Sequence, residues 1–135
     1  MKSLIITILL TVLSINTTAQ NKDFQLSTHI LDVSKGLPAP DVPIRLEKYN
    51  PQSKVWTYLD EKKTDANGRI PNFLPSAFAN KGIYKLIYLT SDYFKKNKTE
   101  SFYPFIEVVF EIKDENHYHV PITLSPYGYS TYRGS

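Results

Sequence analysis

Three histidines, one arginine at a turn and a tyrosine-rich ending are the residues of this chain whose types could do chemistry. They are His29, His117 and His119, Arg69, and the stretch Tyr127-Gly-Tyr-Ser-Thr-Tyr-Arg-Gly-Ser135. All three histidines fall in runs that read as β-strands, where successive side chains point to opposite faces. His117 and His119 therefore share one face, and Tyr118, Val120, Ile122 and Leu124 share the other. The apolar face is the core, so the two imidazoles stand on the outer face of their sheet or at an interface. In the first strand His29 lies with Leu31 and Val33, opposite Ile30 and Asp32, and the pattern does not say which side is inside.

Imidazole near its ordinary pKa exchanges protons at neutral pH, so general acid–base work is the first chemistry to consider. Zinc is the alternative for three histidines. No pair has the i, i+4 spacing of a helical site and no carboxylate holds an obvious ligand position, so metal ranks below proton transfer and no cofactor is implied. Arg69 follows an Asn-Gly turn and, taken alone, reads as a solvated strand end. The serines have neither a Gly-x-Ser-x-Gly elbow nor a Ser-x-x-Lys neighbourhood, there is no cysteine, and the five glycines make no phosphate-cradling loop. Covalent catalysis is disfavoured, and water activated by imidazole is the nucleophile expected of an enzyme here.

The elements that must position these groups are short. Runs rich in Val, Ile, Tyr and Phe recur between turn signals, the pattern of an all-β sandwich. Strands are expected over Phe24 to Val33, Val42 to Tyr49, Val55 to Lys63, Ile70 to Leu74, Gly82 to Thr90, Phe105 to Ile112, His117 to Leu124 and Tyr127 to Tyr132. Asp65-Ala66-Asn67-Gly68 reads as a tight turn and Asp114-Glu115-Asn116 as a hairpin turn. A short helix from Ser91 to about Lys96 would be capped by Ser91 with Asp92 near its positive end. Eight strands and one small helix make a two-sheet β-sandwich, with no repeat or linker to divide it.

At 135 residues the chain is one domain's worth. Lys2, the apolar run from Leu4 to Ile15, and Asn16-Thr17-Thr18-Ala19 read as a secretory signal peptide cleaved after Ala19, too short to span a bilayer comfortably. The expected mature chain is residues 20–135, exported to a periplasm and free of the membrane once cleaved. The formal net charge is +3 and its lysines are scattered among carboxylates, which gives nucleic-acid binding little support.

Several stretches resemble one family. Leu26-Ser-Thr-His-Ile-Leu-Asp32 with Gly36-Leu-Pro-Ala39 is similar to the opening motif of the transthyretin-related 5-hydroxyisourate hydrolases. Thr64-Asp-Ala-Asn-Gly-Arg69 resembles their second motif, His117-Tyr-His-Val-Pro121 their third, and Tyr129 to Ser135 their C-terminal signature. The first two also occur in unrelated exported sandwich modules, whereas the His-x-His strand and the Tyr-Arg-Gly-Ser ending are specific. The resemblance implies a transthyretin-like sandwich that opens the cyclic amide of 5-hydroxyisourate, a homotetramer with sites at the subunit interface. It maps catalytic roles onto His29, Arg69, His119 and Ser135, adds Tyr132 to the substrate contacts, and leaves His117, Arg133 and Gly134 as supports. Either His29 or His119 is the base, and Ser135 acts through its hydroxyl or a terminal carboxylate. The alternative is a transthyretin-like carrier that binds a small ligand without turning it over.

Overall fold

The computed structural model describes residues 23–135; the expected signal peptide and cleavage point lie outside them. In chain order the elements are β1 (Phe24–Asp32), β2 (Leu37–Pro38), β3 (Pro43–Asn50), β4 (Val55–Lys63), β5 (Arg69–Pro75), β6 (Gly82–Tyr88), α1 (Ser91–Lys96), β7 (Ile106–Ile112), β8 (Tyr118–His119), β9 (Ile122–Ser125) and β10 (Gly128–Thr131). They form two sheets. In one, β1 is central, with β5 and β2 antiparallel along one edge, β8 and β9 parallel along the other, and β10 beyond β9. The other is the antiparallel series β4-β3-β6-β7.

All eight expected strands are present. The seventh is broken into β8 and β9 by the dipeptide Val120-Pro121, because Pro121 has no N–H to give a ladder. A two-residue strand, β2, joins after the Gly36 turn. Asp114 to Asn116 does not close a hairpin: it carries the chain from β7 in one sheet to β8 in the other. Its Asp114 carboxylate still accepts the Asn116 N–H, as turn chemistry dictates. Thr90, not Ser91, stands at the helix N-cap and its side chain makes no capping bond, while the Ser91 hydroxyl donates to the Pro104 carbonyl at 2.7 Å.

The core lies between the sheets, and Leu26, Ile30, Ile44, Phe73, Leu86, Tyr88 and Leu124 are shut off from solvent entirely. Burial of each such side chain contributes about 1.5–3 kcal/mol. Alternate residues of β1, namely Leu26, Thr28, Ile30 and Asp32, are buried, which settles the face that the sequence pattern left open. Ser27, His29 and Leu31 point the other way. Two polar groups fasten this inner face. Thr28 Oγ1 and the Tyr88 hydroxyl both donate to the Val120 carbonyl, at 2.8 and 3.0 Å, and so join β1, β6 and the loop before β9. Asp32 accepts from the Ser34 N–H at 3.0 Å, the Ser34 hydroxyl at 2.5 Å and the Tyr93 hydroxyl of α1 at 2.6 Å.

Burial by itself would raise the Asp32 pKa, but the bonds from Ser34 and Tyr93 outweigh it and hold the carboxyl below its ordinary 3.8. The stabilisation these bonds give is therefore complete above that ordinary value and is lost as pH falls through the lower folded one. Tyr93→Phe should cost about 1–3 kcal/mol at neutral pH. Urea unfolding measured down a pH series should show the deficit constant to about pH 5 and shrinking in stronger acid. An equal deficit at every pH would mean that the bond from the Tyr93 hydroxyl to ionised Asp32 was not its source.

Candidate active site

Pairing of β1 with both neighbours assembles the site. On one side the β1–β5 ladder sets His29 opposite Arg69, on the other the parallel β1–β8 ladder sets Ser27 opposite His119. Between Leu26 and Thr28 the β1–β5 register shifts, so that Leu26 faces Phe73 and Thr28 faces Ile70. The extra residue in β5 is a bulge, and it decides which residue is delivered beside His29.

The turn before Arg69 is held from several directions. The Asp65 carboxylate accepts the Asn67 and Arg69 N–H groups at 2.9 and 3.0 Å, and the Gly68 N–H closes on the Asp65 carbonyl at 2.9 Å. Gly68 has φ of +70°, and a Cβ there would lie 2.7 Å from the Ile30 carbonyl oxygen, so only glycine lets the turn press against β1. Thr64 donates its hydroxyl to the Ala39 carbonyl at 2.8 Å and accepts the Val42 N–H at 2.9 Å. Each named residue of the Thr-Asp-x-x-Gly-Arg stretch thus works to put the Arg69 backbone where it is.

His117 and His119 meet across a serine. Ser27 Oγ is 2.8 Å from His117 Nε2 and 2.8 Å from His119 Nδ1, and His117 Nδ1 lies 2.9 Å from the Phe24 carbonyl oxygen. Both nitrogens of His117 are thereby engaged. Among the described residues no group of three His, Cys, Asp or Glu side chains is arranged to hold a metal ion.

Burial and neighbouring charge oppose protonation of the other two imidazoles. His29 is lowered from its ordinary value by burial and then by the Arg69 charge, against weaker opposing pulls from the Asn67 backbone and Asp65. His119 is pushed down to about 4 by burial, then by Arg69, His29 and His117. Arg69 is exposed, and its positive charge disfavours protonation of both rings.

The tail is built onto His119. The Gly134 N–H donates to the His119 carbonyl at 2.9 Å, and a Cβ on Gly134 would fall 2.4 Å from His119 Cδ2. Only a glycine can lie against that ring without moving it. Arg133 stacks its guanidinium 4.6 Å from the centre of the Tyr118 ring, and Thr131 donates to the Pro121 carbonyl. Ser135 follows Gly134 and is exposed. Tyr132 lines a cavity of about 390 Å³ with Val108, Phe110, Tyr118 and Arg133, on the side of β7.

Within one chain the structure thus sets His29 opposite Arg69 and joins His117 to His119 through Ser27, with Gly134 against His119, whereas Ser135 is exposed at the chain end and Tyr132 lines the β7 cavity. Reading the sequence missed Ser27. It stands two residues before His29, so the period of a strand puts it on the histidine face, and that alternation was the available signal.

Comparisons with known proteins give the family of the chain. A family model described as the HIUase/Transthyretin family matches residues 26–134. The chain is 48% identical over 111 residues to the 5-hydroxyisourate hydrolase of Salmonella typhimurium, covering 82% of this chain and 80% of that one. Among solved structures it is similar to the 5-hydroxyisourate hydrolase of Klebsiella pneumoniae, with a TM-score of 0.70, 38% identity and coverage of 82% of this chain and 98% of that one. It is also similar to sea bream transthyretin in complex with thyroxine, with a TM-score of 0.76, 30% identity and coverage of 82% and 94%. With both sheets, the helix and the site-bearing strands inside the matched region, this chain belongs to the HIUase/transthyretin family.

Proposed function

We propose that the protein hydrolyses 5-hydroxyisourate, opening its cyclic amide to give 2-oxo-4-hydroxy-4-carboxy-5-ureidoimidazoline. The observation that carries this reading is that the registers on either edge of β1 set Arg69 opposite His29 and His119 opposite Ser27, so that two imidazoles and an arginine come from adjoining strands. A carrier of the thyroxine-binding kind has no need of two proton acceptors placed in this way.

The residues suggest the steps. His119 takes a proton from water as the water oxygen bonds to the amide carbonyl carbon. Arg69 pairs with the planar, oxygen-rich ring and stabilises the charge that develops on the attacked oxygen. The carbon–nitrogen bond then breaks, and the His119 imidazolium returns that proton, directly or relayed through the His29 imidazole, to the departing ring nitrogen. A substrate that pairs with Arg69 also masks the charge that lowers His119, so the base strengthens once substrate is in place. Ser135 and Tyr132 would join the site from the tail.

Ultraviolet decay of freshly generated 5-hydroxyisourate should outrun its spontaneous rate when protein is added, and a decay unchanged by protein would end the hydrolase reading. His29→Asn and His119→Asn should each lower kcat by on the order of a hundredfold. Because both imidazoles are held below 6.5 in the free enzyme, activity should persist into mild acid. The acid limb of kcat/KM should lie below the ordinary imidazole value of 6.5, and a limb at or above 6.5 would contradict the assignment of these two rings.

The assembly we infer is a homotetramer with the sites at its subunit interface. In its favour, β7 is an edge strand of its sheet and carries an exposed Val109, and Phe102, Phe105, Tyr127 and Tyr129 are exposed as well. Apolar and aromatic groups in such number on a surface suit burial against another copy. Sedimentation at micromolar concentration should give four times the chain mass, and a monomer would overturn the assembly.

Export through the N-terminal segment completes the proposal, on the strength of Lys2, the apolar run to Ile15 and the small residues to Ala19. Intact mass of the protein from a periplasmic fraction should correspond to a chain beginning at or near Gln20. Retention of Met1 to Ala19 in soluble cytosolic protein would contradict it.

A further inference from the structure

The hydrogen-bond directions around Ser27 are forced by one atom that has no proton. The Phe24 carbonyl oxygen can only accept, so with one proton on its ring His117 carries it on Nδ1 and donates it there at 2.9 Å. His117 Nε2 is then a bare lone pair, and the hydroxyl 2.8 Å away must donate to it. Having spent its single proton, Ser27 Oγ can offer His119 Nδ1 only a lone pair at 2.8 Å. His119 Nδ1 is therefore the protonated nitrogen, and Nε2 is the one left free to take a proton. Gly134 packs against Cδ2 of the same ring.

We propose that Ser27 is a positioning residue for the reaction: held by His117, it fixes His119 in the Nδ1–H tautomer and so keeps Nε2 available as the base that activates water. The proposal rests on the reading of His119 as that base. It gives His117 a task, since without an acceptor at His117 Nε2 the serine proton is free to turn to His119 Nδ1 and impose the opposite tautomer. A purely structural serine would need neither partner in this order.

The test is two-bond proton–nitrogen NMR of ring-labelled protein, together with steady-state kinetics. Unaltered protein at neutral pH should show His119 protonated on Nδ1 and bare on Nε2. Ser27→Ala should mix the two tautomers and lower kcat about tenfold to a hundredfold with KM little changed, because the serine touches the imidazole and not the substrate. Ser27→Thr, which keeps the hydroxyl, should recover the Nδ1–H signal and most of the rate. His117→Phe should shift His119 toward Nε2–H and lower kcat similarly, and the double variant should be no slower than the slower single one. His119 found as Nε2–H in the unaltered protein would overturn the proposal whatever the rate, as would a Ser27→Ala enzyme with unchanged kcat. If no variant, nor the unaltered chain, hydrolysed 5-hydroxyisourate while the Nδ1–H signal still depended on Ser27, the substrate reading would fall and the positioning of His119 would stand.

Discussion

The site depends on one strand being paired on both edges at once. β1 lies at the centre of its sheet, antiparallel to β5 and parallel to β8, and the two registers bring His29 beside Arg69 and Ser27 beside His119. A slip of one residue on either edge would turn the delivered side chain to the other face. The register is held from behind by burial of Leu26, Thr28, Ile30 and Asp32, and by two hydroxyls converging on the Val120 carbonyl. The Val120 N–H in turn donates to the Ser27 carbonyl at 3.0 Å, so the dipeptide that breaks β8 from β9 is itself pinned to β1. Core packing and site geometry are in this sense one constraint read from its two faces.

The outer face works by accumulating positive potential around rings that are already short of water. Arg69 and the neighbouring histidines oppose protonation of His119, and burial opposes it more strongly still. The nearest carboxylate in this account, Asp65, spends its Oδ1 on the Asn67 and Arg69 N–H groups, and its pull on His29 is the weakest of the four influences there. Burial and the Arg69 charge thus work in the same direction on His29 and His119, disfavouring the protonated form of each.

Much of this was legible in the chain itself. Period-two alternation separated the histidines from Tyr118, Val120, Ile122 and Leu124, and each of those four is buried. The Asn-Gly turn announced a positive φ, which Gly68 has. Strand extents came within a few residues at every element because the β-branched and aromatic runs are bounded by Gly, Pro, Asn and Asp. Harder to see were the split of the His117 to Leu124 run, the strand at Leu37–Pro38 and the passage of Asp114 to Asn116 between sheets. Each of these depends on which strand lies alongside, and a one-dimensional pattern does not carry that.

What the sequence by itself determined, then, is the local chemistry: which positions alternate inward, where the chain must turn, and that imidazole with guanidinium is the available machinery. What only the tertiary structure decided is adjacency and protonation. Ser27 and His117 are ninety positions apart, and whether their atoms meet at 2.8 Å follows from a parallel pairing set by the packed core. The same holds for the inner face of β1, where Asp32 is buried because α1 and Ser34 supply its donors. A carboxylate in an apolar strand reads as exposed until those partners are in place, because the cost of its burial is cancelled only by groups that folding brings to it.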